Sequence, residues 1–343
     1  MLEASVCRYL IPKQADLKLD MEHDLTKPLE ARQYSGLMDS GQHATPQHTS
    51  VSAVDESEFP ALYRTADQNS LNGQRRYLTA TRLRLAMLVV AAVFGLFSWR
   101  TGSGDIAGIL AAAAFGVALL GELYLLRMRP DRLWYDGRAA AESAKTLIWR
   151  YMVGGSPLGK SEIPDRDAEW LLLDRFSQIA RELKGVSLVS LSGEVNAIST
   201  SLRNVRALPL DERRQQYRIG RIHSQRDWYG RKARWNERRT NQWTLILSSL
   251  EALGLLAAIL KATGVLKIDL LGLAGTLVAA GAAWIQTKQH QTLASAYAIA
   301  SQELTAIGAQ IDRATTEEAW AHFVDQAEEA ISREHTLWRA SRS

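Results

Sequence analysis

Apolar residues along this chain gather into four runs, Leu83–Trp99, Ile106–Leu126, Trp243–Leu260 and Leu270–Ile285, with charged and polar residues between them. Arg84, the only charge in the first run, lies close enough to its start to snorkel out of an apolar phase. Crossing a hydrocarbon core of ~30 Å takes about 20 residues, so each run taken alone is marginal. Their spacing is the stronger signal. The six residues RTGSGD separate the first pair and the nine residues KATGVLKID the second, which predicts two helical hairpins that cross and recross a bilayer. Trp99, Trp243 and Trp284 stand at run ends, where amphipathic rings favour the membrane interface. Ala-rich stretches such as Ala111–Ala114 also suit the buried helices of a soluble bundle, so the charge pattern has to decide.

Charge decides for the membrane. Arg75, Arg76, Arg82 and Arg84 lead into the first run, and Arg127, Arg129 and Arg132 follow the second. Ahead of the third, from Arg218 to Arg239, eight Lys and Arg face only Asp227 and Glu237, a net of +6. Both hairpin loops are nearly neutral: Arg100 offsets Asp105, and Lys261 and Lys267 exceed Asp269 by one. The positive-inside rule then turns the hairpin tips out of the cell and keeps both termini and the middle segment in the cytoplasm. The whole chain carries only +4, and Cys7 is its one cysteine, which excludes a disulfide-stapled domain.

The segments between the runs read as helices. Residues 1–57 lack apolar periodicity and are rich in Ser, Thr, Gln and His, which predicts a disordered leader. From Phe59, apolar and small residues recur at spacings of three and four up to the first run; WYDGRAAAESAKTLIWRYM continues the second as an amphipathic helix that stops near Gly154 and Gly155. Further helices are expected over Ala168–Leu183, near Ser201–Arg206, and from Asp211 onward as one long polar helix. After the fourth run Leu293, Tyr297, Ala300, Leu304, Ile307 and Ile311 form a heptad seam, repeated by Trp320, Val324, Ala327 and Ile331, so these coiled-coil-like helices want a partner helix. The fold class is therefore all-α: an integral membrane protein with two transmembrane hairpins on long cytoplasmic helical stalks. Both halves share one plan, as QNSLNGQRRYLTATRLRLAMLVV from Gln68 and HSQRDWYGRKARWNERRTNQWTLIL from His223 illustrate, which points to a degenerate internal duplication.

YRIGRIHSQRDWYGRKARWN before the second hairpin and FVDQAEEAISREHTLW after it resemble the SLATT family, the SMODS and SLOG-associating two-transmembrane effector domains. FPALYRTADQNSLNGQRRY and WYDGRAAAESAKTLIWRYMVGGSPL resemble a second SLATT type. On this reading residues 58–160 are the first SLATT-like domain, 161–210 a cytoplasmic helical linker and 211–343 the second domain. The resemblance implies a prokaryotic conflict-system effector that forms pores or disrupts the membrane when a partner detects infection or makes a nucleotide signal. It implies a separately encoded sensor or nucleotide-signal synthase; the heptad seams and the small residues within the runs predict a homo-oligomer, and the runs with their basic flanks predict contact with membrane lipids.

Candidate residues follow from cost. An ionisable group inside a bilayer costs ~2.5 to 3.5 kcal/mol on insertion scales and tends to mark a pathway or a partner. Glu251, near the centre of the third run with Ser248 one turn earlier, is either a pore or gating group or a hydrogen-bonded packing device. Glu122 is close enough to Arg127 to snorkel, which favours a structural role. Gly108, Ala112 and Gly116, and Gly275, Ala279 and Ala283, form small-residue ladders suited to close helix packing. Arg231, Lys232, Arg234, Arg238 and Arg239 border the third run and suit lipid head groups better than nucleic acid. GGSPLGKS, Gly154–Ser161, matches the phosphate-loop pattern but lacks the expected strand before it, and Pro164 interrupts a helix after it. His223, His290, His322 and His335 show no metal spacing, and Cys7 no catalytic partners. No cofactor and no enzymatic chemistry is expected. The alternatives are a constitutive ion channel or membrane scaffold, and a membrane-anchored NTPase built on 154–161.

Overall fold

The computed structural model describes residues 54–101, 104–182 and 198–340, with side chains through 332. The first hairpin is α1, Ala61–Gly95, and α2, Ile106–Met128; α3, Pro130–Val153, returns along the stalk half of α1. Three shorter helices follow: α4, Asp165–Glu182; α5, Thr200–Ala207; and α6, Leu210–Tyr217. A π-helical turn, Arg218–His223, leads into α7, Ser224–Ala262. The second hairpin closes with α8, Leu270–Lys288, after which α9, His290–Gly308, returns along the stalk half of α7, and α10, Glu317–Ala340, ends the described chain. Four helices are long and apolar enough to cross a membrane. This is the expected all-α, two-hairpin membrane architecture.

The duplication is visible in how each half turns its corners. At each tip an aspartate caps the second membrane helix: Asp105 accepts from the Ala107 N–H, and Asp269 from the Gly272 N–H. Asp105 also accepts from the Trp99 N–H, and the two-residue strands β1, Arg100–Thr101, and β2, Gly104–Asp105, pair antiparallel across that tip. At the membrane exit each half uses a single left-handed residue in place of a loop. Arg129 (φ 44°) joins α2 to α3, and Gln289 (φ 52°) joins α8 to α9. Pro130 at the first turn of α3 and left-handed Gly154 at its end give that helix a strong start and stop.

Burial is concentrated in the stalk. Leu62, Ile148, Trp149, Met152, Phe176, Tyr217, Ile222, Tyr297 and Trp320 make one contiguous core shared by both halves. Gly73 and Gly137 let α1 and α3 touch backbone to backbone: a Cβ on Gly73 would lie 2.5 Å from the Trp134 nitrogen. The apolar windows of the four membrane helices, by contrast, are only 17%, 11%, 6% and 0% buried, so nearly all their surface is left for lipid or another chain.

Three expectations change. The heptad seam finds its partner within the same chain: Leu293, Tyr297 and Leu304 are buried in the stalk core, α9 packs on α7, and Trp320 and Val324 bury where α10 packs on α3. The long polar helix from Asp211 is continuous to Ala262 but carries the π-helical turn within it. The segment read as a linker packs into the core, because α4 and α5 lie on α3 and Leu202 and Arg206 are buried there. The leader expectation lies outside the described residues for 1–53, but Glu56 is ordered, paired with Lys145 and accepting from the Tyr63 hydroxyl.

Candidate functional site

Within the membrane segments α7 turns Leu247 and Gly254 toward α8, where a Cβ on Gly254 would sit 3.1 Å from Ala274. Glu251 and Ser248 lie on the exposed side instead. Asn241, Thr244, Ser248 and Glu251 step by three, four and three along that face, so they form one polar stripe, and all four are exposed. Glu122 pairs across the first hairpin with Arg84 at 2.7 Å, and Gly121 beside it leaves room for the Arg84 side chain. Each charge thereby neutralises the other where the hairpin enters the bilayer.

The small-residue ladders face outward at every position except Ala283, which is half-buried. Nothing lies within 4 Å of a Cβ placed on Gly116 or Gly275, and Gly108, Ala112 and Ala279 are exposed. Contact within the chain is made by other small residues: Ala107, Ala114 and Ala118 on α2, and Ala274 and Gly281 on α8.

The arginine-rich stretch divides in two. Arg231, Arg234, Arg238 and Arg239 are exposed on the stalk half of α7, with Lys232 and Arg239 stacked over Trp235 at 5.2 and 5.3 Å. Arg218 instead pairs with Asp312, and Arg221 turns fully inward. Arg221 Nε and Nη2 donate to Glu328 at 2.9 and 2.7 Å. The Tyr217 hydroxyl donates to Glu328 at 3.0 Å and the Thr146 hydroxyl at 2.9 Å. Arg221 is 1% and Glu328 0% exposed. Burial alone would depress the Arg221 guanidinium, but the bidentate Glu328 carboxylate outweighs it and raises its pKa; burial, then the same carboxylate, pushes the Tyr217 phenol well up.

This network ties α3 of the first half to the π-helical turn and α10 of the second. Sequence reasoning missed it, because Arg221 sits in a run of solvated arginines and Glu328 among surface-type carboxylates. The one available signal was Glu328 following Val324 and preceding Ile331 on the buried face of α10. Arg206 and Arg213 behave alike: Arg206 Nη1 donates to the carbonyls of Tyr151 and Leu158, and Arg213 Nη1 to that of Val153. Beside Arg221 the seam opens into a cavity of about 540 Å³ walled by Phe59, Tyr63, Trp149 and Trp228, with the Lys145–Glu56 and Arg138–Glu142 ion pairs in its lining.

Gly154–Ser161 is a joint of the stalk and has the wrong geometry for a phosphate loop. It follows a helix, α3, in place of a strand, and the helix after it starts only at Asp165. Lys160 donates to the Arg206 carbonyl at 3.1 Å, and a Cβ on Gly155 would meet Val324 at 2.3 Å. His290 donates through Nδ1 to Asn236 at 2.7 Å, and His322 is bonded to Gln326. Among the described residues no group of three metal-ligating side chains converges. Cys7 and the His335 side chain lie outside the described residues.

Family models match nearly all of this architecture. Residues 60–214 match the model of SMODS and SLOG-associating 2TM effector domain 3, and residues 217–338 that of SMODS and SLOG-associating 2TM effector domain 1. The first match runs on through the segment between α3 and α6, and the boundary between the two falls in the last turn of α6, just ahead of the π-helical turn. No curated protein and no solved structure matches the chain.

Proposed function

The chain belongs to the SLATT family, as two different members fused in tandem, and from that premise we propose that its copies assemble in the membrane and open an ion path or lesion when triggered. The trigger is a separately encoded sensor or the nucleotide signal such a partner makes. The chain acts as a multi-pass membrane effector of a conflict system, without catalysis of its own and without nucleic acid as a partner. In this reading it resides in the bacterial inner membrane with both termini in the cytoplasm, and the exposed arginines of α7 rest on lipid head groups.

The observation that carries this reading is the polar stripe of α7. Thr244, Ser248 and Glu251 are exposed inside a membrane-crossing helix, and among the described residues no side chain hydrogen-bonds or pairs with Glu251. Leaving a carboxylate in lipid costs ~2.5 to 3.5 kcal/mol. Copies arranged around a water-filled path with these stripes inward remove that cost, and a ring of carboxylates favours cations.

Glu251→Gln and Glu251→Leu test it. The first keeps size and hydrogen bonding but removes the charge; the second removes both. The expected result is that Glu251→Gln inserts and assembles normally yet changes membrane depolarisation after triggering. If the Gln variant behaves as wild type while Leu disrupts assembly, Glu251 is a packing group and the pore reading fails.

A further inference from the structure

The two hairpins meet where α8 lies against α1 and α7, and the three helices leave between them a groove of about 430 Å³ that opens sideways to the bilayer. Leu85, Ala86 and Val89 of α1, Leu247 and Leu250 of α7 and Leu277 of α8 form its walls. Its stalk-side end is different in kind. There Trp243 and Trp284 line it, the Arg82 guanidinium lies 4.9 Å over the Trp284 ring, and the Lys288 ammonium approaches the same ring at 5.7 Å.

An apolar slot offers water no partners, and left empty it forfeits dispersion contacts along its whole lining. Tryptophan rings mark the level of the interface, and cations between membrane helices at that level attract anionic head groups. From the apolar walls, the tryptophan rim and the Arg82 cation at one end, we infer that this groove is a lipid site: it takes an acyl chain of an anionic phospholipid whose phosphate meets Arg82. A zwitterionic lipid fits less well, because its ammonium would stand beside Arg82. The bound lipid touches α1 of one SLATT copy and α7 and α8 of the other, so it fills the seam between the two hairpins. The inference goes beyond the assembly reading and holds whether or not the assembly conducts.

Native mass spectrometry of the full chain, released from nanodiscs holding phosphatidylglycerol and phosphatidylcholine in equal amounts, tests it. Wild type is expected to retain phosphatidylglycerol in preference to phosphatidylcholine. Arg82→Gln should lower that preference about fivefold, the factor equivalent to ~1 kcal/mol per cation at the surface. Ala86→Trp fills the groove and should lose the retained lipid, whereas Phe115→Trp on the exposed face of α2 should keep it. Ala280→Leu, a smaller intrusion from α8, makes the same test should Ala86→Trp fail to insert. Equal retention of the two lipids by wild type, or wild-type retention by the filled-groove variants, overturns the proposal. A filled-groove variant that changes the size of the complex and not its lipid content assigns the groove to a second copy of the chain and overturns it equally.

Discussion

Replacing Glu328 by Gln removes one charge from the centre of the stalk while keeping its shape. In the structure Glu328 accepts from Arg221 Nε and Nη2, from Tyr217 and from Thr146, and neither member of the ion pair is more than 1% exposed. Gln can still accept from one or two of these donors, but Arg221 is left as an uncompensated buried cation, and breaking such a pair costs about 3–5 kcal/mol. Arg221→Met leaves the opposite charge stranded at a similar cost. The double variant strands neither, so its loss should fall short of the sum by about 2–3 kcal/mol, at the upper end of couplings within one network. Urea unfolding of the detergent-purified chain, followed by tryptophan fluorescence, is the assay, because Trp149 and Trp320 lie 5.9 and 5.7 Å from the Tyr217 ring and report on the seam itself. Single variants within ~0.5 kcal/mol of wild type, as expected of surface substitutions, or strictly additive losses in the double variant, would refute the reasoning.

Gly73→Ala drives a Cβ to 2.5 Å from the Trp134 nitrogen and should cost about 1–3 kcal/mol in the same assay, while Gly116→Ala, with nothing within 4 Å, should be silent or slightly stabilising. Glu169 is held below the ordinary glutamate value of 4.5 first by the Arg203 hydrogen bond and then, against the opposing effect of burial, by that of Tyr151. A lowered folded pKa gives stability that is present above that value and lost as pH falls through the folded one, so Glu169→Gln should flatten the acid side of the stability profile below about pH 4.5 and leave its shape at neutral pH unchanged. Cysteines at Thr101 and Thr263, on the two tips, should react with an impermeant thiol reagent from outside the cell and one at Ser161 should not; labelling at Ser161 in intact cells would overturn the proposed topology.

Much of the fold was legible because hydropathy and helical period are local properties. Four apolar runs with short neutral loops gave the hairpins, and the 4-3-4-3 spacing from Leu293 to Ile307 gave the inward face of α9, with Ile311 buried just beyond its end. The partner of that face was not legible, since a heptad seam records only that a helix is needed and not which chain supplies it. Arg206, Arg213 and Arg221 hid in plain composition: a guanidinium enters a core only when carbonyls or a carboxylate from distant positions converge on it, and no sequence window contains both. Arg129 and Gln289 were invisible for another reason, as neither residue type favours a left-handed backbone and tertiary context imposes it. Of the candidate residues, Glu122 showed only its neighbour Arg127 in the sequence, because its partner Arg84 is distant along the chain and near only in space.

The absence of loops where the chain leaves the membrane has a mechanical consequence. α1 and α7 are single helices of 35 and 39 residues, ~52 and ~58 Å long at 1.5 Å per residue, and each of their neighbours rejoins the stalk through one residue. Each half is therefore a lever with its fulcrum at the membrane surface, and a sideways displacement at the foot arrives at the hairpin tip as tilt instead of being absorbed by a slack joint. The π-helical turn interrupts the regular α-helical ladder at the foot of α7, and the Arg221–Glu328 pair holds it from inside the core. Force applied at the foot of the stalk is thus carried along continuous helices toward the hairpin tips.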